Sequence, residues 1–276
     1  MPEAWQTATA GWRMSVPGTS VATMPAATPP VPEFERRWTN VDLSGARFHN
    51  VVLSGAKITG VWARDLVVDG DLRGLTVNGI DVMPYVEQRL AAEHPELGQI
   101  WSGDLDDLRA GWATVRAAWE STEAEVAALD EAMLHERVDD EYSYLETLRH
   151  LVFASDAWLR RCLLGETDFW YAGVPHDEME PEVLELLPID AAADPALDEV
   201  MAVRLDRRGV LDRLLAEATP DALAEHPPAR ERNGYPLDTS GRTVGECLRC
   251  IVNEEWWHHR YATRDLAVVR QGVAER

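Results

Sequence analysis

The segment TVGECLRCIVNEEWWHHRYATRDLAV, residues 243–268, decides the fold and the chemistry of this chain. Apolar side chains recur three and four residues apart, which predicts a long helix from Thr243 to about residue 270 with one buried stripe. The stripe consists of Val244, Leu248, Ile251, Val252, Glu255, His259, Ala262 and Leu266. Glu255 and His259, one turn apart, interrupt an otherwise apolar face, so the segment also predicts a buried polar pair.

Such a pair needs a partner, because burying an ionised carboxylate costs several kcal/mol unless it is paired or binds a metal. A carboxylate and an imidazole at positions i and i+4 are able to bind one ion together, and a catalytic site takes a third protein ligand. His150, in LETLRHLVFASDAW, interrupts the apolar face of another predicted helix. His150, Glu255 and His259 are therefore the predicted metal ligands. Glu254 and His258 are expected at the rim, as partners of the ligands or of a substrate.

A simpler interpretation of the same residues stays open. A single histidine on an apolar face is more often a hydrogen-bonded core residue than a ligand, and Glu255 and His259 are also spaced to form an ordinary i, i+4 pair.

Helical periodicity covers most of the chain from residue 84 onward, and a capping box from Ser143 to Glu146 opens a helix that Gly165 ends. The predicted helices are 84–95, 104–130, 143–164, 196–217 with a short extension near 220–225, and 243–270, with an irregular crossover over 166–194. Four of these are long, which predicts a mainly α protein built as a four-helix bundle.

A repeat of five residues precedes the helices. Residues 40–82 contain the pentapeptides NVDLS, GARFH, NVVLS, GAKIT, GVWAR and DLVVD. Apolar residues recur every five positions at Leu43, Phe48, Leu53, Ile58, Ala63 and Val68, and a fixed repeat of this kind is typical of a solenoid. The pattern resembles the pentapeptide-repeat family, which implies a short β-helix with these side chains inside. Because two coils cannot shield their own ends, we expect this module to pack on the helices.

Composition limits the remaining possibilities. The net charge of −22 argues against nonspecific binding to nucleic acid or anionic lipid. There is no apolar run long enough to span a bilayer and no signal-peptide pattern, so a cytoplasmic protein is expected. Residues 1–33 are rich in alanine, threonine and proline and predict a disordered tail, followed by a repeat module over 34–83 and the bundle over 84–276. Cys162, Cys247 and Cys250 are expected to be buried thiols.

The segments SYLETLRHLVFASDAWLRR and TVGECLRCIVNEEWWHHRYATRDLAV together resemble the DinB superfamily, in its actinobacterial form with an N-terminal pentapeptide stretch. The resemblance implies an up-down-down-up four-helix bundle. It also implies a divalent metal on His150, Glu255 and His259. Glutamate at the middle position is similar to the mycothiol-dependent maleylpyruvate isomerase branch. Zinc is the expected ion, with iron, nickel or manganese as alternatives.

The family resemblance implies an enzyme that uses a low-molecular-weight thiol such as mycothiol, either an S-transferase or a thiol-dependent isomerase, in detoxification or natural-product tailoring. The expected partners are a small-molecule thiol and an electrophile, with no nucleic acid or membrane, in a monomer or homodimer. His176 in the crossover is a candidate pocket residue, together with Trp170 and Asp177. The alternative is a non-enzymatic metal-binding stress or interaction protein.

Overall fold

The computed structural model describes residues 37–48, 51–70, 72–176, 179–239 and 241–274, with the backbone alone for the last two. These residues divide into two compact units, one ending at Asp69 and the other running from Gly70 onward. The predicted disordered tail, 1–33, lies outside the described residues. The predicted domain boundary between residues 83 and 84 stays a prediction.

The first unit has a five-residue repeat in its backbone. Left-handed residues recur at multiples of five, at Asn40, Gly45, Gly55, Gly60 and Asp65. The predicted β-helix is not confirmed, however. No strand is assigned between residues 37 and 70 in the part that the structure describes. The large side chains expected inside it are half exposed or more; Leu53, for example, is 54% exposed and Ile58 is 74% exposed. The physical reason is that a solenoid repeat buries its apolar face only against stacked repeats, and this segment has too few of them.

The second unit is mainly helical, as predicted. Its elements are β1 Thr76–Val77, β2 Ile80–Asp81, α1 Met83–Glu93, α2 Pro95–Trp101, α3 Leu105–Val126, α4 Glu131–Leu134, α5 Tyr144–Ser155, a π-helical segment Asp156–Leu164, α6 Pro181–Leu184, α7 Leu197–Glu217, α8 Pro220–Leu223 and α9 Val244–Ala274. The two strands form an antiparallel hairpin across Asn78 and Gly79, both left-handed, as a tight two-residue turn requires. The short helices α2, α4 and α6 were not predicted, because one or two turns hold too little periodicity to detect.

Local capping sets the helix ends that matter for the site. Ser143 and Glu146 form the predicted capping box at the start of α5. Gly165, at φ 78°, ends the π-helical segment in the left-handed conformation that glycine adopts without strain. A second box opens α9, where Thr243 Oγ1 accepts from Glu246 N at 3.2 Å and Glu246 Oε2 accepts from Thr243 N at 2.7 Å.

The long helices pack against one another around an apolar core. Helix α3 lies against α9, and α5 lies against both α7 and α9. Trp119, Leu148 and Val252 are fully buried where these helices meet. The predicted up-down-down-up order of a four-helix bundle stays a prediction. Among the described residues, none of the helices combines the length and the apolar character that a membrane span requires.

Candidate metal centre

Three buried side chains meet where α5 packs on α9. They are His150 of α5 and Glu254 and His258 of α9, and one ligand atom from each lies within 4.8 Å of the other two. Nε2 of His258 is 3.1 Å from Oε2 of Glu254, and Nε2 of His150 is 3.8 Å from the same oxygen. The side chain of His150 is fully buried and that of Glu254 is 8% exposed. The cluster is therefore shielded from bulk water.

Helix geometry explains this convergence. Glu254 and His258 are four residues apart, so one turn of α9 stacks them on the same face. His150 comes from the middle of α5, where every side chain from Tyr144 to Ser155 except Glu146 is buried. The contact between α5 and α9 then brings His150 to the pair.

A backbone carbonyl orients the ring of His150. Its Nδ1 atom lies 2.9 Å from the carbonyl oxygen of Val174 in the crossover. Because a carbonyl oxygen only accepts, Nδ1 carries a proton, and the other ring nitrogen, Nε2, faces Glu254. The crossover is itself held on α5, where Arg149 Nε donates to the carbonyl of Ala172 at 2.7 Å. This arrangement is the one that metal-binding histidines use to orient the ring.

The site favours one negative charge, on Glu254, and a neutral imidazole, on His258. Burial raises the pKa of Glu254, but the imidazoles of His150 and His258 lower it by more. The pKa of this carboxyl group therefore lies well below its usual range, and the group is ionised at neutral pH. Burial lowers the pKa of the His258 imidazole, although Glu254 partly opposes this effect. An ionised carboxylate beside a neutral imidazole is the protonation state that a divalent cation requires of such ligands.

The geometry fits a small divalent ion. Ligand distances near 2.0–2.1 Å in a tetrahedral site place neighbouring ligand atoms about 3.3 Å apart. The 3.1 and 3.8 Å separations around Glu254 bracket this value. Two imidazoles and one carboxylate suit zinc and also ferrous iron. Modest side-chain rotation would therefore be enough to hold an ion between His150, Glu254 and His258.

The pair on α9 that meets His150 lies one residue before the predicted ligand pair. Glu255 forms a buried ion pair with Arg204 of α7, where Nη2 and Oε2 are 2.6 Å apart. His259 Nε2 lies 2.9 Å from Thr122 Oγ1 of α3, and its ring packs on Trp119 at 4.9 Å. Of the predicted set, His150 alone joins the cluster. Glu254 and His258, expected at the rim, take the central place.

The physical reason is that α9 is buried over a wide arc. It contacts α3 on one side and α5 on another, so two adjacent i, i+4 pairs both face inward. Glu254 and Glu255 are 7% and 2% exposed, so burial does not tell them apart. An apolar stripe marks the centre of the buried arc, whereas Glu254 and His258 lie on the part of the arc that faces α5. No signal in the sequence identifies Val174 as the partner of His150, because every residue carries a backbone carbonyl and the residue type does not mark the one that accepts.

A family model described as the DinB superfamily matches residues 114–262, more than half of the chain. The chain belongs to the DinB superfamily. The matched range contains His150, Glu254 and His258, together with α3 from Thr114 onward and α7. The comparison with curated proteins gives no match, and neither does the comparison with solved structures.

An aromatic wall borders the cluster in this DinB protein. The ring of His176 lies 4.8 Å from that of His150 and 5.7 Å from that of Phe153. Tyr235 contacts both Phe153 and His176, with centroids 5.7 and 5.6 Å away. Burial, followed by the neighbouring His150, lowers the pKa of His176 to about 3, so this imidazole is neutral at pH 7.

His176 is the one of the three crossover candidates that the structure places beside His150, Glu254 and His258. Trp170 packs its ring on Tyr171, 5.7 Å away. Asp177 lies outside the described residues. Tyr235, which the sequence pattern did not single out, joins His176 because the loop before α9 folds over α5.

Proposed function

We propose that this DinB protein is a metal-dependent enzyme that acts through a low-molecular-weight thiol such as mycothiol, as an S-transferase or a thiol-dependent isomerase. The observation that carries the proposal is the buried set of His150, Glu254 and His258, whose ligand atoms lie within 4.8 Å of one another. Membership of a superfamily whose proteins often bind metal supports it. Zinc is the proposed ion, and iron, nickel and manganese are the alternatives.

Each residue of the cluster has a defined task in this proposal. His150 and His258 offer neutral nitrogen ligands, Glu254 supplies the negative charge, and the carbonyl of Val174 keeps the His150 ring in its ligating tautomer. Three protein ligands leave one coordination position for a small molecule. A divalent cation held by these three ligands would supply the charge that keeps a coordinating thiol deprotonated at neutral pH.

The cysteines of the chain support a requirement for an external thiol. Cys162 and Cys247 are fully buried. Contact with Cys162, and then burial, raises the pKa of Cys247, and burial raises the pKa of Cys250 well above its usual value. The hydrogen bond with Cys247 lowers the pKa of Cys162, but no part of this residue is exposed. Protonated thiols and thiols that a substrate cannot reach are both poor nucleophiles. The wall of Phe153, His176 and Tyr235 then offers apolar surface for the electrophile, whose identity the proposal leaves open.

The test begins with metal binding. The full chain would be stripped with a chelator and titrated with zinc, alongside His150→Ala. Wild-type protein should bind one equivalent, and the variant should lose it. The zinc-loaded protein would then be assayed for transfer of mycothiol, and separately of glutathione, to monobromobimane. Stoichiometric zinc and transfer that depends on His150 support the enzyme. Absence of bound zinc from the wild-type protein contradicts the metal site itself.

The second candidate is a non-enzymatic metal-binding or interaction protein, and the apolar surface of the first unit favours it. Trp62 is fully exposed and Val67 is 83% exposed, whereas solvated surfaces seldom gather large apolar side chains without a partner. Stoichiometric zinc with no transfer from either thiol would favour this candidate over the enzyme.

A further inference from the structure

A buried ion pair lies one residue away from the proposed metal ligands. Arg204 of α7 donates to Glu255 of α9 through two parallel bonds, Nη1 to Oε1 at 3.1 Å and Nη2 to Oε2 at 2.6 Å. The two side chains are 1% and 2% exposed. A two-point contact of this kind fixes direction as well as distance, because the planar guanidinium matches only one orientation of the carboxylate.

Helix α3 holds the same residue from another side. Trp119 donates from Nε1 to the backbone carbonyl of Glu255 at 3.1 Å, and its ring lies 4.5 Å from the guanidinium of Arg204. Both the side chain and the main chain of Glu255 are therefore held, by two different helices. His259, one turn later, adds its hydrogen bond to Thr122 and its ring contact with Trp119.

These contacts bear on the metal cluster through the helix they share. Successive residues of an α-helix are about 100° apart around its axis. When Glu255 faces α7 and α3, Glu254 must face α5 and His150. A rotation of α9 that released Glu255 from Arg204 would carry Glu254 and His258 away from His150.

We propose that Arg204 is a positioning residue for the metal site, which acts through Glu255 to fix the rotation of α9. This inference rests on the proposed metal-dependent function. Glu255, which the sequence pattern predicts as a ligand, instead orients Glu254, the proposed ligand beside it. Trp119 completes the clamp.

The pairing of charge is informative because stability does not require it. Replacing a buried ion pair by apolar side chains of similar volume is often neutral or stabilising. Apolar packing, however, does not define one rotation of a helix as sharply as a bidentate bond does. Positioning and stability therefore make opposite predictions for an apolar replacement, and the two roles are experimentally separable.

The experiment compares the full-length double variant Arg204→Met, Glu255→Met with the wild-type protein. Urea unfolding measures stability, chelator competition measures zinc affinity, and the visible spectrum of the cobalt-substituted protein reports ligand geometry. The midpoint of unfolding should stay at or above that of the wild type. Zinc affinity should fall by about 10- to 100-fold, the usual effect of losing a partner that orients ligands, and the cobalt spectrum should change.

Two further variants sharpen the result. Arg204→Lys keeps the charge and loses the two-point contact, so it should weaken zinc binding less than the double variant does. Arg207→Met is the matched control, since Arg207 also lies on α7 but pairs with Asp156, on the π-helical segment, at 2.7 Å. It should keep wild-type zinc affinity.

Wild-type zinc affinity and an unchanged cobalt spectrum in a folded double variant would overturn the inference. If the double variant fails to fold, Arg204→Lys decides in its place, and unaltered affinity and spectrum there would overturn it equally. Failure of the proposed function looks different: the wild-type protein would bind no zinc, or His150→Ala would bind it unchanged.

Discussion

Nε2 of His258 lies 3.1 Å from Oε2 of Glu254, one turn earlier on α9, and both side chains are buried beside His150. The adjacent pair, Glu255 and His259, has the same spacing but contacts other helices, through Arg204 of α7 and Thr122 of α3. Two copies of one i, i+4 pattern, offset by a single residue, thus have different tasks: one is fit to hold an ion and the other joins helices.

The two histidines of α9 should respond differently to alanine. His258→Ala should weaken zinc binding by more than about 100-fold, because it removes a ligand rather than a residue that orients one. His259→Ala should keep stoichiometric zinc and lower the free energy of unfolding by about 1–3 kcal/mol, the cost of a lost buried hydrogen bond. Elemental analysis and urea unfolding check both. Zinc retained in His258→Ala and absent from His259→Ala would restore the register that the sequence predicts.

The cysteines should resist modification in the folded chain. Cys162 and Cys247 are fully buried; Cys250 is half-buried, and burial raises the pKa of its thiol. Ellman's reagent at pH 7.5 should therefore react slowly with native protein and with three thiols after unfolding in guanidinium. Cys250→Ala should bind zinc as the wild type does. Rapid labelling of the native chain, with loss of zinc, would place a protein thiol at the metal.

The capping box of α5 should give the stability a defined pH dependence. Burial raises the pKa of Glu146, but hydrogen bonds with Arg137 and with the backbone of Ser143 outweigh it, so the pKa is lowered in the fold. A lowered folded pKa means that the carboxylate stabilises the fold above its unfolded value near 4.3, and that this contribution is lost as the pH falls through the folded value.

Glu146→Gln should therefore be less stable than the wild type at pH 7, and the difference should shrink below about pH 4. Ser143→Ala should cost about 1 kcal/mol at pH 7. Urea unfolding at both pH values measures the effect, with Glu182→Gln, at an exposed position of α6, as the control. An equal difference at both pH values would contradict the role of the charge.

Alanine substitutions at two helical glycines should change the free energy of unfolding in opposite directions. A Cβ on Gly111 of α3 would lie 2.8 Å from Cγ1 of the fully buried Ile100, whereas one on the exposed Gly209 of α7 would meet nothing within 4 Å. Gly111→Ala should lower the free energy of unfolding by about 1–3 kcal/mol through overpacking. Gly209→Ala should raise it by about 0.5–1 kcal/mol through helix propensity. Thermal and urea unfolding of the pair would show whether α2 and α3 pack as closely as described.

Local signals were sufficient for the longer helices of the second unit. Ser143 and Thr243 open α5 and α9 with side-chain caps, and Gly165 closes the π-helical segment, because these interactions form between residues that are near in sequence. His150 was recognisable for the same reason, as a polar residue at the centre of a buried helical face. The five-residue period of the first unit is also local, and its left-handed turns recur at that interval.

The choice between Glu254 and Glu255 depended on residues far away in the chain. A clue was present on α7, where Arg204 and Arg208 occupy the buried stripe with Val200, Leu211 and Leu215, and a buried guanidinium requires a carboxylate. Which carboxylate answers it is decided only when α3, α5 and α7 pack around α9. The sequence alone determined that α9 would bury one acid and one histidine a turn apart. Tertiary packing decided which pair faces His150, because a single residue step turns a side chain about 100° toward a different neighbouring helix.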